Sequence, residues 1–202
     1  MSSRQRDESR SRILLTQECA RIMADEGVKN FLVAKRKAAA RLHVTNKALF
    51  PSNAEIEQAL ADYQRLFKAP YQAARLRLLR ETAAEAMRFL QRFRPKLVGS
   101  VLAGTAGEYS DVNLHLFADT PEEVLLLLLE NNIPAATTSC RQRFGNGEYA
   151  SIPQYTFTAG DVTIELTIFQ LDVEREAPRS PVDGKPMRRA GLTEVLTLLE
   201  QD

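Results

Sequence analysis

Two short stretches of the sequence alternate polar and apolar residues, and their polar positions carry side chains suited to binding a divalent cation. Asp111 and Asn113 occupy alternate positions of the first stretch, and Glu165 lies in the middle of the second, DVTIELTIF. Such alternation predicts strands in which the polar side chains share one face. A glutamate at the centre of a strand is costly unless it is solvated, paired or bound to a metal. We therefore expect the Glu165 carboxylate to be solvated, paired or bound to a metal.

A glycine and a serine, Gly99 and Ser100, lie before the first of these strands, separated from it by the segment from Val101 to Ser110. Glycine lets backbone N–H groups approach phosphate oxygens closely, and a serine hydroxyl adds a further donor. Such a turn could therefore accommodate phosphate oxygens.

The sequence resembles the nucleotidyltransferase superfamily that includes DNA polymerase beta, the antibiotic nucleotidyltransferases and the small bacterial minimal nucleotidyltransferases. The family pattern is a hydrophobic residue, Gly, Gly or Ser, a spacer, and then Asp-hydrophobic-Asp/Glu, with a third carboxylate on a later strand. Val98–Ser100, Asp111–Asn113 and Glu165 fall at these positions. The resemblance implies Mg²⁺-dependent transfer of a nucleotidyl group from an NTP to an acceptor hydroxyl. RNA, a protein or a small molecule could supply that hydroxyl.

Asn113 departs from the family pattern, because an amide replaces the second carboxylate. At an effective dielectric constant of about 20, losing a carboxylate about 4 Å from a charge forfeits on the order of 4 kcal/mol of raw attraction. Asn113 is therefore expected to be a weak auxiliary metal ligand beside Asp111 and Glu165. Two interpretations stay open: a catalytic site whose activity is weakened or lost, and a retained fold whose polar face binds a nucleotide or a partner or is only hydrated.

The elements around these residues predict an α+β protein. Apolar residues at helical spacing run from residue 11 to about residue 93, and a strand-and-turn pattern follows Pro95. We therefore predict a helical domain over residues 1–94, with residues 1–10 disordered, and a nucleotidyltransferase-like domain with a mixed sheet over 95–202. Ser52 and Glu55 predict a capping box at the start of a helix. The segment KLVGSVL is predicted to be a strand.

Charge is unevenly distributed along the chain. Residues 1–95 contain 19 Lys and Arg against 10 Asp and Glu, about +9, whereas residues 96–202 contain 8 against 16, about −8. The basic half resembles the start of a TetR-type helix-turn-helix regulator, which suggests as an alternative a non-catalytic nucleic-acid-binding or regulatory protein. The basic residues expected to contact phosphates are Lys35, Arg36, Lys37, Arg41 and Lys47.

Further basic residues in the second half have two interpretations. Arg141 and Arg143, and later Lys185, Arg188 and Arg189, could bind a triphosphate or the phosphate of an acceptor, or they could form a solvated edge. The longest purely apolar run, Val124–Leu129, is far too short to cross a bilayer, and the N-terminus lacks the apolar core of a secretory signal. We therefore expect a cytoplasmic protein with no membrane partner.

Overall fold

The structure, a computed structural model, describes residues 3–67, 69–145 and 147–201. Within these ranges the chain forms seven α-helices and one five-stranded mixed sheet, which confirms the α+β class with a helical N-terminal part. The helices are α1 (Ser3–Glu26), α2 (Phe31–Arg41), α3 (Asn53–Phe67), α4 (Ala69–Phe89), α5 (Gly99–Ala103), α6 (Pro121–Glu130) and α7 (Leu192–Gln201). The strands are β1 (Lys96–Val98), β2 (Val112–Phe117), β3 (Ala136–Arg143), β4 (Tyr149–Ala159) and β5 (Val162–Phe169).

The chain divides into two compact units, and the first of them is helical. It comprises the chain up to Gln72 together with Gly107–Tyr109 and Pro181–Asp183. Its main core contains fully buried apolar side chains from α1, α2 and α3: Leu15, Cys19, Ile22, Ala34, Ala38 and Ile56. Helix α1 begins at Ser3 and therefore includes described residues of the segment 1–10. This segment contains no glycine or proline that would stop the helix from extending in the N-terminal direction.

The predicted capping box at the start of α3 is present. The Ser52 hydroxyl accepts a hydrogen bond from the Glu55 backbone N–H at 3.2 Å, and the Glu55 carboxylate accepts one from the Ser52 backbone N–H at 2.7 Å. Two backbone donors at the helix terminus are thereby satisfied by neighbouring side chains. Glu55 also forms a two-pronged ion pair with Arg12 of α1, with N–O distances of 3.0 and 2.7 Å. The cap therefore also ties α3 to α1.

The second unit contains the sheet and most of α4. It comprises Ala73–Ala106, Ser110–Ser180 and Gly184–Asp202. The division of contacts therefore falls within α4, at residues 72 and 73. The physical reason is that Leu79, Ala83 and Met87 of α4 are fully buried in the core beneath the sheet.

The strands follow the spatial order β1-β2-β5-β4-β3. Strands β2 and β5 are parallel, and the other neighbouring pairs are antiparallel. One face of the sheet is apolar and packs against α4, α6 and α7, so the other face is where polar residues of the strands gather. We call this second face the polar face; β2 and β5 supply Asn113, His115, Thr163, Glu165 and Thr167 to it.

The segment predicted as the strand KLVGSVL is a strand only as far as Val98. Gly99 adopts a φ of +76°, in the left-handed region, and the short helix α5 starts there. This backbone conformation ends the extended strand and is open to glycine without the steric cost that a Cβ carries. Among the described residues, no helix combines the length and apolarity needed to span a bilayer.

Candidate metal and phosphate site

The register of the sheet brings three of the predicted site positions side by side. Asn113 pairs with Val98 on β1 and with Glu165 on β5, and Glu165 in turn pairs with Thr156 on β4. Gly99 directly follows Val98, and a Cβ built on Gly99 would lie 3.6 Å from the Asn113 Nδ2 atom. The glycine turn, the amide and the glutamate therefore form one row across the polar face.

Asp111 lies at the N-terminal edge of this row, immediately before β2. The Asn113 side chain turns back towards it, because Asn113 Nδ2 donates to the Asp111 backbone oxygen at 3.3 Å. This bond uses the amide nitrogen and leaves the Asn113 Oδ1 atom without a hydrogen bond to the residues that the structure describes. Asp111 and Asn113 are both partly exposed. The amide oxygen is thus available as the neutral ligand that the sequence predicted.

Glu165 lies in the middle of β5 and is partly exposed on the polar face. Its Oε2 atom accepts a hydrogen bond from Gln154 Nε2 at 3.4 Å, from the neighbouring strand β4. A long bond from an amide orients the carboxylate without neutralising it. Gln154 therefore helps to position the Glu165 carboxylate on the polar face.

The turn formed by Gly99 and Ser100 is compact. The Ser100 backbone oxygen accepts from the backbone N–H groups of Gly104 and Thr105, which closes α5 after a single turn. Gly104, with a φ of +78°, provides the left-handed residue that this closure needs. The partly buried Ser100 hydroxyl makes no side-chain hydrogen bond within the described parts of the chain. The predicted phosphate-binding donors therefore belong to a short, well-defined turn beside Asn113.

Within the described ranges, no group of three or more His, Cys, Asp and Glu side chains is arranged to hold a metal. The oxygen ligands that the sequence predicted here are the carboxylates of Asp111 and Glu165 and the amide oxygen of Asn113. Mg²⁺ is commonly bound by one or two carboxylates together with substrate phosphates and water. The donor set thus fits a Mg²⁺ ion that arrives with a nucleotide better than a permanently bound ion.

His115 lies on the polar face one row away and is only 2% exposed. Its Nδ1 atom accepts a hydrogen bond from Arg189 Nε at 3.1 Å, and burial lowers the His115 pKa to about 3. The imidazole is therefore neutral at pH 7, and its partner is a cation. This satisfied histidine has a structural role in positioning Arg189.

Two polar-face residues were not identified from the sequence. Gln154 of β4 donates a hydrogen bond to Glu165. Lys96 pairs with His115 at the β1 edge of the same face. The sequence indicated its place on the polar face only weakly, because Lys96 is the first residue of a strand of three residues.

The basic residues of α2 are largely engaged within the helical unit. Lys37 pairs with Glu26 at 2.9 Å, and Arg41 pairs with both Glu18 and Glu26. Lys35 donates to Asn53 Oδ1 at 2.7 Å. These partners reduce the positive field that the sequence alone suggested for a nucleic-acid surface.

Between α2 and α3 the chain forms only the short 3₁₀ helix Lys47–Leu49, rather than a long helix that could enter a major groove. This region therefore lacks a recognition helix directly after α2.

Comparison with known proteins adds no further assignment. A scan against protein-family models and a search of curated proteins found no match to this chain. The case for a function therefore depends on the residues and geometry of the polar face.

Proposed function

We propose that the sheet-containing unit is a nucleotidyltransferase-like domain that binds an NTP together with Mg²⁺ on its polar face. The observation that supports this most strongly is the row formed by the Gly99 turn, Asn113 and Glu165, with Asp111 at its edge. A glycine turn for the phosphates, with one carboxylate immediately before β2 and another on β5, provides the groups that a metal–triphosphate complex needs. The reaction is transfer of a nucleotidyl group to an acceptor hydroxyl, at a rate limited by the missing carboxylate.

Each residue has a distinct role in this proposal. Gly99 and Ser100 hold phosphate oxygens, Asp111 and Glu165 hold the metal, and Asn113 is a neutral auxiliary ligand. When bound, Mg²⁺ neutralises charge on the phosphates and orients them for in-line displacement. Replacing one carboxylate by an amide lowers the negative charge that attracts the ion, so binding of Mg²⁺ without a nucleotide is weak.

The transfer step can be described by the bonds that change. The oxygen of the acceptor hydroxyl forms a bond to the α-phosphorus, and the bond from that phosphorus to the bridging oxygen breaks, which releases pyrophosphate. Besides holding the metal, Glu165 accepts the hydroxyl proton, since it is the carboxylate at the centre of the polar face. Gln154 positions that carboxylate through its hydrogen bond.

Thermal denaturation with NTPs, in Mg²⁺ or in EDTA, tests this proposal. We expect a rise in Tm that requires both the NTP and Mg²⁺, and its loss in Asp111→Ala. Asp161→Ala, in the turn between β4 and β5, is the matched control and should respond as the wild type does. No stabilisation by any NTP in Mg²⁺ would contradict the proposal.

Nucleic-acid binding through the basic helical unit is the second function expected from the sequence. Lys47 and Arg36 are exposed and could contact phosphates. The ion pairs of Lys37 and Arg41 weaken this alternative relative to the first. A salt-sensitive mobility shift with DNA or RNA that is lost on reversing the charges of residues 35–37 would favour it.

A further inference from the structure

Arg189 is a partly buried cation whose hydrogen bonds all go to neutral groups. Its Nε atom donates to His115 Nδ1, and its Nη1 atom donates to the backbone oxygen of Glu174 at 2.9 Å. The guanidinium also lies over the rings of Phe117 and Phe169, at 5.2 and 5.3 Å from their centroids. Its Nη2 atom is buried and has no hydrogen-bond partner. An unused donor on a desolvated cation is costly unless an anion completes it.

The Glu174 carboxylate, whose charge acts on Arg189, does not form that partner. Glu174 is bound by Arg94, with an N–O distance of 2.6 Å, so its charge is already paired. Burial lowers the Arg189 pKa from its usual value, although the negative charge of Glu174 opposes the shift. Burial therefore has a larger effect on the Arg189 pKa than the attraction of Glu174 has.

A second cation lies on the same edge of the polar face. In the register of β1 and β2, Lys96 lies opposite His115, the residue that Arg189 contacts. The segment that carries Arg189 runs beside β1, because Leu97 and Ala190 exchange two backbone hydrogen bonds at 2.8 and 2.9 Å. The Lys96 ammonium group forms no ion pair or hydrogen bond with the described parts of the protein. Two cations without a paired carboxylate thus flank the edge strand.

The charges on the polar face are therefore separated. Asp111 and Glu165 provide negative charge around Asn113, whereas Lys96 and Arg189 provide positive charge at the β1 edge. Lys96 and Gly99 are three positions apart, about 10 Å along an extended strand. A chain of phosphates that receives hydrogen bonds at both ends can span this length.

We propose that Arg189 and Lys96 form an oxyanion subsite that binds the pyrophosphate portion of the nucleotide. The assignment to a nucleotide rests on the function proposed above. Arg189 supplies a guanidinium charge that forms no ion pair with the described residues, and the partly exposed Lys96 supplies its unpaired ammonium group. The neutral His115 fixes the guanidinium without adding charge.

Isothermal titration with sodium pyrophosphate in EDTA tests the subsite without the metal. We expect saturable binding by the wild type and an affinity at least tenfold lower in Lys96→Gln and in Arg189→Gln. Arg188→Gln is the matched control, because Arg188 is adjacent, exposed and paired with Glu194. Its affinity should stay within twofold of the wild type. Sodium chloride at the same ionic strength controls for general salt effects.

Lys96→Gln keeps the test decisive even if Arg189→Gln unfolds, because the partly exposed Lys96 side chain holds no other group in place. Unchanged pyrophosphate affinity in Lys96→Gln, or an equal loss in Arg188→Gln, would overturn the subsite. The two proposals can fail separately. Pyrophosphate binding that needs Lys96, without any Mg²⁺-dependent response to NTPs, would retain the subsite and reject the proposed function. Mg²⁺-dependent NTP binding that is unchanged by substitution of Lys96 and Arg189 would retain the proposed function and reject the subsite.

Discussion

Replacing Asn113 by Asp restores the family carboxylate, and its effect on stability can be worked out from the sheet. Asn113 pairs directly with Glu165 on the parallel neighbour β5. Adjacent strands lie about 4.8 Å apart, so we take the two carboxylates to be roughly 6 Å apart. Without a metal, they repel each other.

The size of that repulsion follows from Coulomb's law. At about 6 Å it is about 0.7 kcal/mol in bulk water and about 3 kcal/mol at an effective dielectric constant of 20. Both side chains are partly exposed, so we expect Asn113→Asp to lower the free energy of unfolding by about 1–2 kcal/mol. For a protein of this size that corresponds to a Tm lower by about 3–6 °C. Mg²⁺ should reverse the loss, because the added carboxylate becomes a ligand.

The assay is thermal denaturation in low salt with EDTA, followed by titration with MgCl₂. Asn113→Ala is the matched control, because it removes the amide and its bond to the Asp111 backbone without adding charge. In EDTA, Asn113→Asp should be less stable than Asn113→Ala. Adding Glu165→Gln should remove the difference, since the double-mutant cycle isolates the repulsion between the carboxylates. Mg²⁺ should stabilise only the variant with the restored carboxylate, with an affinity at least tenfold above that of the wild type.

One result would refute this reasoning. If Asn113→Asp and Asn113→Ala have the same Tm in EDTA and the same response to Mg²⁺, position 113 is not close enough to Glu165 for its charge to matter. The polar face would then not be a metal site in the form proposed.

Three further predictions test the structure around the site. Gly99→Ala should lower the free energy of unfolding by about 1–2 kcal/mol in urea denaturation, because a φ of +76° is strained for alanine. The new Cβ would lie at an ordinary contact distance of 3.6 Å from Asn113 Nδ2, so steric overlap adds little. An unchanged denaturation midpoint would contradict this geometry. Leu79→Ala should cost about 2–5 kcal/mol, since its fully buried side chain packs beneath the sheet, and a cost below about 1 kcal/mol would exclude α4 from that core. Hydrogen bonds from Arg12 and Ser52 lower the Glu55 pKa to about 2. The ionised Glu55 carboxylate therefore stabilises the folded state above its unfolded-state pKa, and this stability is lost as pH falls from about 4.5 towards 2. Because the side chain is 41% exposed, we expect only about 1 kcal/mol, and chemical denaturation from pH 5 to 2 should show a flatter profile in Glu55→Gln than in the wild type.

Local patterns in the sequence predicted the elements well where the deciding interaction is also local. The capping box predicted at Ser52 and Glu55 depends on two residues a few positions apart. The alternation around Asn113 and Glu165 predicted the polar faces of both strands. It could not show that these residues pair with each other, because pairing depends on the order of strands in the sheet.

Long-range packing decided the features that the sequence did not reveal. Helix α4 has an amphipathic pattern that looks the same whether it packs on helices or on a sheet, so the division of the chain near residue 72 was not evident. The contact between Arg189 and His115 joins residues 74 positions apart. It depends on the segment around Ala190 lying beside β1, and no local pattern encodes that pairing.

A crystal structure with a non-hydrolysable NTP analogue and Mg²⁺ tests the central claim most directly. We predict density for the phosphates beside Gly99 and Ser100, with a metal ion held between the carboxylates of Asp111 and Glu165. A nucleotide bound elsewhere, or a polar face that stays empty at saturating analogue and Mg²⁺, would contradict the account.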